Sequence, residues 1–112
     1  MNKLLIPLLL CLALLTTQAV ACKLTASEVV NNMQAQSLTT FKVEVSTDFC
    51  IDARKFQNWS IADTQHWHTK VTARDQNQNA VEYRIVPQVK GWTTSVILIG
   101  HDGKTYEILL TS

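Results

Sequence analysis

Thr93-Thr94-Ser95-Val96-Ile97-Leu98-Ile99-Gly100-His101-Asp102-Gly103-Lys104-Thr105-Tyr106-Glu107-Ile108 is the stretch on which the architecture turns. Val96 to Ile99 is apolar on both parities, which predicts a strand covered on both faces and therefore central in its sheet. Asp102-Gly103 offers two residues that tolerate positive φ, as a type I′ turn requires. That turn pairs His101 with Lys104, Ile99 with Tyr106 and Ile97 with Ile108. Two adjacent antiparallel strands follow.

Working back toward the start, Val81, Tyr83 and Ile85 alternate with Glu82 and Arg84 until Pro87, which cannot donate to a ladder and ends a strand. Asp75-Gln76-Asn77-Gln78-Asn79 is a polar turn. Before it, Trp67, Thr69, Val71 and Ala73 share one face of a strand, and His66, His68, Lys70, Thr72 and Arg74 the other. The segment Ile51 to Thr64 keeps no clean period and reads as irregular, with a short strand about Trp59 to Ala62. Phe41, Val43, Val45, Thr47 and Phe49 alternate with Lys42, Glu44, Ser46 and Asp48, a half-buried strand.

Ahead of the strands, Thr25-Ala26-Ser27-Glu28 fits a capping box with Leu24 and Val29 placed as a hydrophobic staple. Ala26, Val29, Val30 and Met33 recur at helical spacing, so an amphipathic helix is predicted over roughly Ala26 to Ser37. The expected fold is α+β: one N-terminal helix packed on an antiparallel sheet of about five strands.

Met1 to Ala21 reads as a secretory signal peptide: a lysine, an apolar run from Leu4 to Leu15, and the small-residue ending Ala19-Val20-Ala21. Residues 22–112, roughly 91 in number, then make one small domain. Loss of Lys3 leaves 9 basic against 9 acidic residues, a zero balance that argues against nucleic acid as a partner. Export places Cys22 and Cys50 in an oxidising space, the periplasm or the cell exterior, where they are expected to form a disulfide. The rival reading makes Cys22 the lipidated residue of a membrane-anchored lipoprotein, which leaves Cys50 a lone thiol. Only in that form is a membrane implied.

No cofactor motif is present, and no catalytic constellation has fixed spacing. His66-Trp67-His68 puts two imidazoles on one strand face, yet a zinc or copper site needs a third ligand from His101, Asp63 or Asp75. Surface histidines are the simpler account. Cys50 with His66 or His68 makes a nucleophile pair only if the thiol is free. Asp48 and Asp52, four apart, suit a cap or turn better than acid–base work. Trp59 and Trp92 stand in turn-like contexts and make natural anchors for a protein partner. Recognition of another exported or envelope protein is therefore expected, as an inhibitor or immunity-type factor, through Ile51–Thr64 and the Pro87–Trp92 turn with Gln88 and Lys90. The alternatives are a lipid-anchored accessory of an envelope secretion or conjugation machine, and a small hydrolase or metal-binding enzyme.

The ending Asp102-Gly103-Lys104-Thr105-Tyr106-Glu107-Ile108 resembles the closing hairpin of PepSY-type domains, which implies a secreted module of the protease-inhibiting kind. Trp59, Ile61, Trp67, Val71 and Tyr83 after a helix are similar in outline to small periplasmic proteins of the colicin M immunity group. The chain lacks that group's later cysteine. Each likeness covers under half of the chain after Ala21 with residues that any antiparallel sheet would choose, so the chain is assigned to neither.

Overall fold

The computed structural model describes residues 22–44 and 49–112. The expected leader, and Val45, Ser46, Thr47 and Asp48, lie outside the described residues. Among the described residues, one α-helix, α1 (Ala26–Ala35), and eight strands follow in the order β1 (Leu24–Thr25), α1, β2 (Thr40–Glu44), β3 (Phe49–Asp52), β4 (Phe56–Ile61), β5 (Trp67–Arg74), β6 (Ala80–Pro87), β7 (Thr93–Gly100) and β8 (Thr105–Thr111). The strands form two four-stranded sheets, β1-β3-β6-β5 and β2-β8-β7-β4. β1 runs parallel to β3 and β2 parallel to β8, while the other neighbours are antiparallel.

This corrects the expectation of a single antiparallel sheet of about five strands. The alternation from Phe41 to Phe49 is shared between two strands in different sheets: β2 lies beside β8, and β3 beside β6. Period two survives on either side of a change of sheet, so the pattern carries no trace of it. A second correction concerns β4, a full strand where irregular chain was expected. A bulge between Phe56 and Asn58 puts Phe56, Trp59 and Ile61 at uneven spacing, which hides the strand from a period-two reading.

The helix begins as its sequence dictates. Thr25 is the N-cap, its Oγ1 accepts from the Glu28 N–H, and the Glu28 carboxylate accepts from the Thr25 N–H at 3.0 Å. Asp52, at the end of β3, accepts from the Ser27 N–H at 3.1 Å and from the Ser27 hydroxyl. A carboxylate at the first turn complements the helix dipole and fixes α1 to β3. The helix stops at Ala35, two residues before the expected end. Leu38 N–H donates to the Met33 carbonyl and Ser37 N–H to that of Gln34, with Ser37 left-handed at φ 56°. That is a Schellman close built on serine where glycine is usual.

Ala26, Val29, Val30 and Met33 of α1, Phe49, Ile51, Trp67 and Ile85 of the first sheet, and Phe56, Val96, Leu98, Tyr106, Ile108 and Leu110 of the second make one buried cluster. Trp59 of the second sheet meets Tyr83 of the first, with ring centroids 4.9 Å apart. The two sheets therefore share one core. β7 is central, between β8 and β4, but only one of its faces is buried: Thr94, Val96 and Leu98 point in, while Ser95, Ile97 and Ile99 are half-exposed.

The cysteines are joined as expected, Cys22 to Cys50, across a sequence separation of 28. The bond fastens the chain just ahead of β1 to β3, and closing a loop of this length contributes about 3 to 4 kcal/mol on the chain-entropy argument.

Candidate functional site

At one end of the molecule the β4–β5 connection meets the turn between β6 and β7. Asp63 organises the first of these. Its Oδ1 accepts from the backbone N–H groups of Gln65 and His66 at 2.9 and 3.0 Å, and its own N–H donates to the hydroxyl of the buried Thr94. Oδ2 accepts from His66 Nδ1 at 2.9 Å, which fixes the tautomer and the plane of the ring. The backbone N–H of His66 is the largest influence holding the Asp63 carboxyl below its ordinary value, followed by the His66 ring. The His66 carbonyl accepts from the Gln88 N–H, and Gln88 Nε2 donates to the Gln65 carbonyl, both at 2.9 Å.

The His66 ring lies flat on Trp92, with centroids 3.8 Å apart and planes 9° from parallel. Trp92 is 44% exposed, so one part of the indole is held by imidazole and another faces solvent. Its backbone is fixed as well. The Trp92 N–H donates to Ser112 Oγ, the Ser112 N–H donates to the Trp92 carbonyl, and Ser112 Oγ donates to the carbonyl of Val89. Gly91 takes φ 89°, which an L side chain rarely adopts, and so turns the chain beneath the indole. Val89 in the same turn is 48% exposed. The result is a rigid aromatic platform with an apolar neighbour, flanked by Gln88 and Lys90, both exposed.

The residues singled out from the sequence are distributed as follows. Trp92, Gln88 and Lys90 share this turn. Trp59 does not join them: it lies opposite Leu98 in the β4–β7 pairing and faces Tyr83 inside the sandwich. Leu98 and Trp92 are six residues apart along one chain, roughly 20 Å at strand rise. His66 is half-buried in the Asp63–Trp92 assembly, while His68 is exposed on β5. Asp63, considered from sequence as a third metal ligand, instead orients His66. Asp52, expected to cap or solvate its own turn, makes no side-chain capping bond there and instead holds the first turn of α1 through Ser27.

Among the described residues, the potential metal ligands that converge in a group of three are Cys22, Cys50 and Glu82, within 4.8 Å of one another. Both sulfurs are taken up in the disulfide, so that donor set is closed. The same bond withdraws Cys50 from any pairing with a histidine. A cleft of about 280 Å³ between α1 and the β7–β8 turn is lined by Asn31, Gln34, Lys55, His101 and Tyr106. Two of its polar groups are engaged with the protein: Gln34 Nε2 donates to Tyr106 Oη, and His101 Nε2 to the Arg54 carbonyl.

Val89 and Ser112 were missed from the sequence. A signal existed for Val89, an apolar residue between Gln88 and Lys90 beyond the end of a strand. Ser112 had none, because its role depends on β8 ending beside the turn. No helix among the described residues is long and apolar enough to cross a membrane. Comparison with protein-family models, with curated proteins and with solved structures finds no match to this chain.

Proposed function

We propose that the chain acts by binding another exported or envelope protein, as an inhibitor or immunity-type factor, and that the Gln88–Trp92 turn with His66 is its contact face. The observation that carries this reading is Trp92: a large ring, 44% exposed, yet immobilised by imidazole stacking and by backbone bonds to Ser112. Tryptophan in a pre-organised setting is a typical interface anchor, since little side-chain entropy remains to be lost on association. Val89 extends the apolar area, and Gln88 and Lys90 supply a polar rim. Trp59, first expected to act beside Trp92, supports the sandwich from within.

The Cys22–Cys50 bond favours a periplasmic or secreted form over the lipid anchor, because lipidation would consume the same Cys22 sulfur. The intact mass of the exported chain separates the two: a loss of two hydrogens supports the bridge, and a diacylglycerol increment sinks it.

Affinity capture from an envelope extract tests the face. The wild type should retain a defined partner, and a Trp92→Ala, Val89→Ser variant with unchanged circular dichroism should lose it. Equal retention by the folded variant, or no retained partner at all, overturns the proposal.

A further inference from the structure

We propose that the open edge of β5 is a second binding site, which takes up an extended acidic segment of another protein as an added strand. β5 ends its sheet, and among the described residues nothing pairs with it on the side away from β6. The ladder shows which backbone groups face outward. Gln88 N–H donates to the His66 carbonyl, in register with the pairs His68–Val86 and Lys70–Arg84. Antiparallel pairs alternate between bonded and non-bonded, so these are the bonded ones. Pro87, which has no N–H, falls opposite Trp67 in a non-bonded pair, as it must. The N–H and C=O groups of Trp67, Thr69 and Val71 therefore point to the open side.

This edge is regular from Trp67 to Val71, where a bulge begins. The other sheet ends are less suited: β1 has 2 residues, β4 is broken by its bulge at Phe56–Asn58, and β2 exposes Lys42 and Glu44, of opposite sign, on one face. The side chains on either face of β5 define the guest. Val71, on the face that carries Trp67, is 40% exposed and offers apolar contact to an alternating segment. On the opposite face, His68 and Lys70 are exposed, and Lys70 lies directly across from Arg84. An acidic residue on an added strand would sit beside the exposed Lys70 in a closely spaced non-bonded pair. A second copy of this chain is a poor guest, because antiparallel pairing of two β5 edges sets Lys70 against Lys70 or His68.

Fluorescence anisotropy with the purified chain and labelled Thr-Val-Glu-Val-Glu-Val-Thr, against the same peptide with Lys for both Glu, tests the site. The acidic peptide should bind at least about tenfold more tightly, and Lys70→Glu should reverse the preference. Thr69→Pro removes an N–H that the sheet does not use, so it should keep the fold and lose binding, while Thr69→Ala keeps both. If Thr69→Pro does not fold, the Lys70→Glu reversal decides. Trp92→Ala should leave peptide binding unchanged, which separates this site from the Trp92 face. Absence of binding, equal binding of both peptides, binding kept in a folded Thr69→Pro, or self-association of the wild type that Lys70→Glu relieves would each overturn the proposal.

Discussion

The hairpins β5–β6 and β7–β8 turn in the same way and are buried differently. In the first, Asp75 N–H donates to the Asn79 carbonyl at 2.9 Å and Gln78 N–H to that of Asp75 at 3.0 Å. In the second, Gly100 N–H donates to the Lys104 carbonyl at 2.8 Å and Gly103 N–H to that of Gly100 at 2.9 Å. The left-handed residue is Gln78, φ 69°, in one and Gly103, φ 82°, in the other. Each is a three-residue loop with a left-handed last position. Beyond the turns the likeness ends. Val96, Leu98, Ile108 and Leu110 are fully buried, whereas β5 is exposed from His68 to Thr72. Turn geometry is set by a few local bonds, but burial is set by what lies across the sandwich, and little lies across the far half of β5.

The largest consequence is in the strands. Leu98→Ala should cost about 2 to 5 kcal/mol, since it opens a cavity where three elements meet, while Val71→Ala should cost less than about 1 kcal/mol. Denaturant unfolding of both variants checks this, and equal losses would mean that the β5–β6 hairpin is packed in solution. The turns come next. Gly103→Ala should destabilise by about 1 to 2 kcal/mol, because alanine must then hold the left-handed conformation. The same reasoning gives the opposite sign at the other turn: Gln78→Gly should gain about 1 kcal/mol, and a loss there would show that the Gln78 side chain stabilises its turn.

These turns also show how much could be read beforehand. Asp102-Gly103 announced a hairpin correctly but with the wrong turn. Only Gly103 is left-handed, so a third residue, His101, enters the loop and Ile99 pairs with Thr105 in place of Tyr106, Ile97 with Glu107 in place of Ile108. The polar run 75–79 announced a turn, but nothing in Gln78 signals positive φ. The start of α1 was legible because Thr25 and Glu28 carry their own capping geometry, and its end was not, because Ser37 stands where glycine would have marked it. The change of sheet after β2 left no mark. At the site, Trp92 beside Gly91 was readable as an exposed ring, whereas the His66 stack and the distance of Trp59 from it follow from which strands pair.

The smallest effect concerns the aspartate that closes the first turn. Asp75 Oδ1 accepts from the backbone N–H groups of Asn77 and Asn79 at 2.8 and 3.0 Å, and the Asn79 N–H is the main reason its carboxyl sits below the ordinary value. A carboxyl depressed in the folded state and ordinary in the unfolded one stabilises above the unfolded value, near pH 4, and that contribution disappears as pH falls through the folded one. Asp63 is depressed for the same kind of reason at the His66 site. Asp75→Asn should therefore lower the thermal midpoint slightly at neutral pH and converge on the wild type as the solution is acidified below about pH 4, with Asp63→Asn following the same course. A gap that stays constant through that range would mean that the amide fails through shape and not through charge. The β5–β6 turn would then be held by its backbone bonds alone, as a turn with glycine in the left-handed position could be.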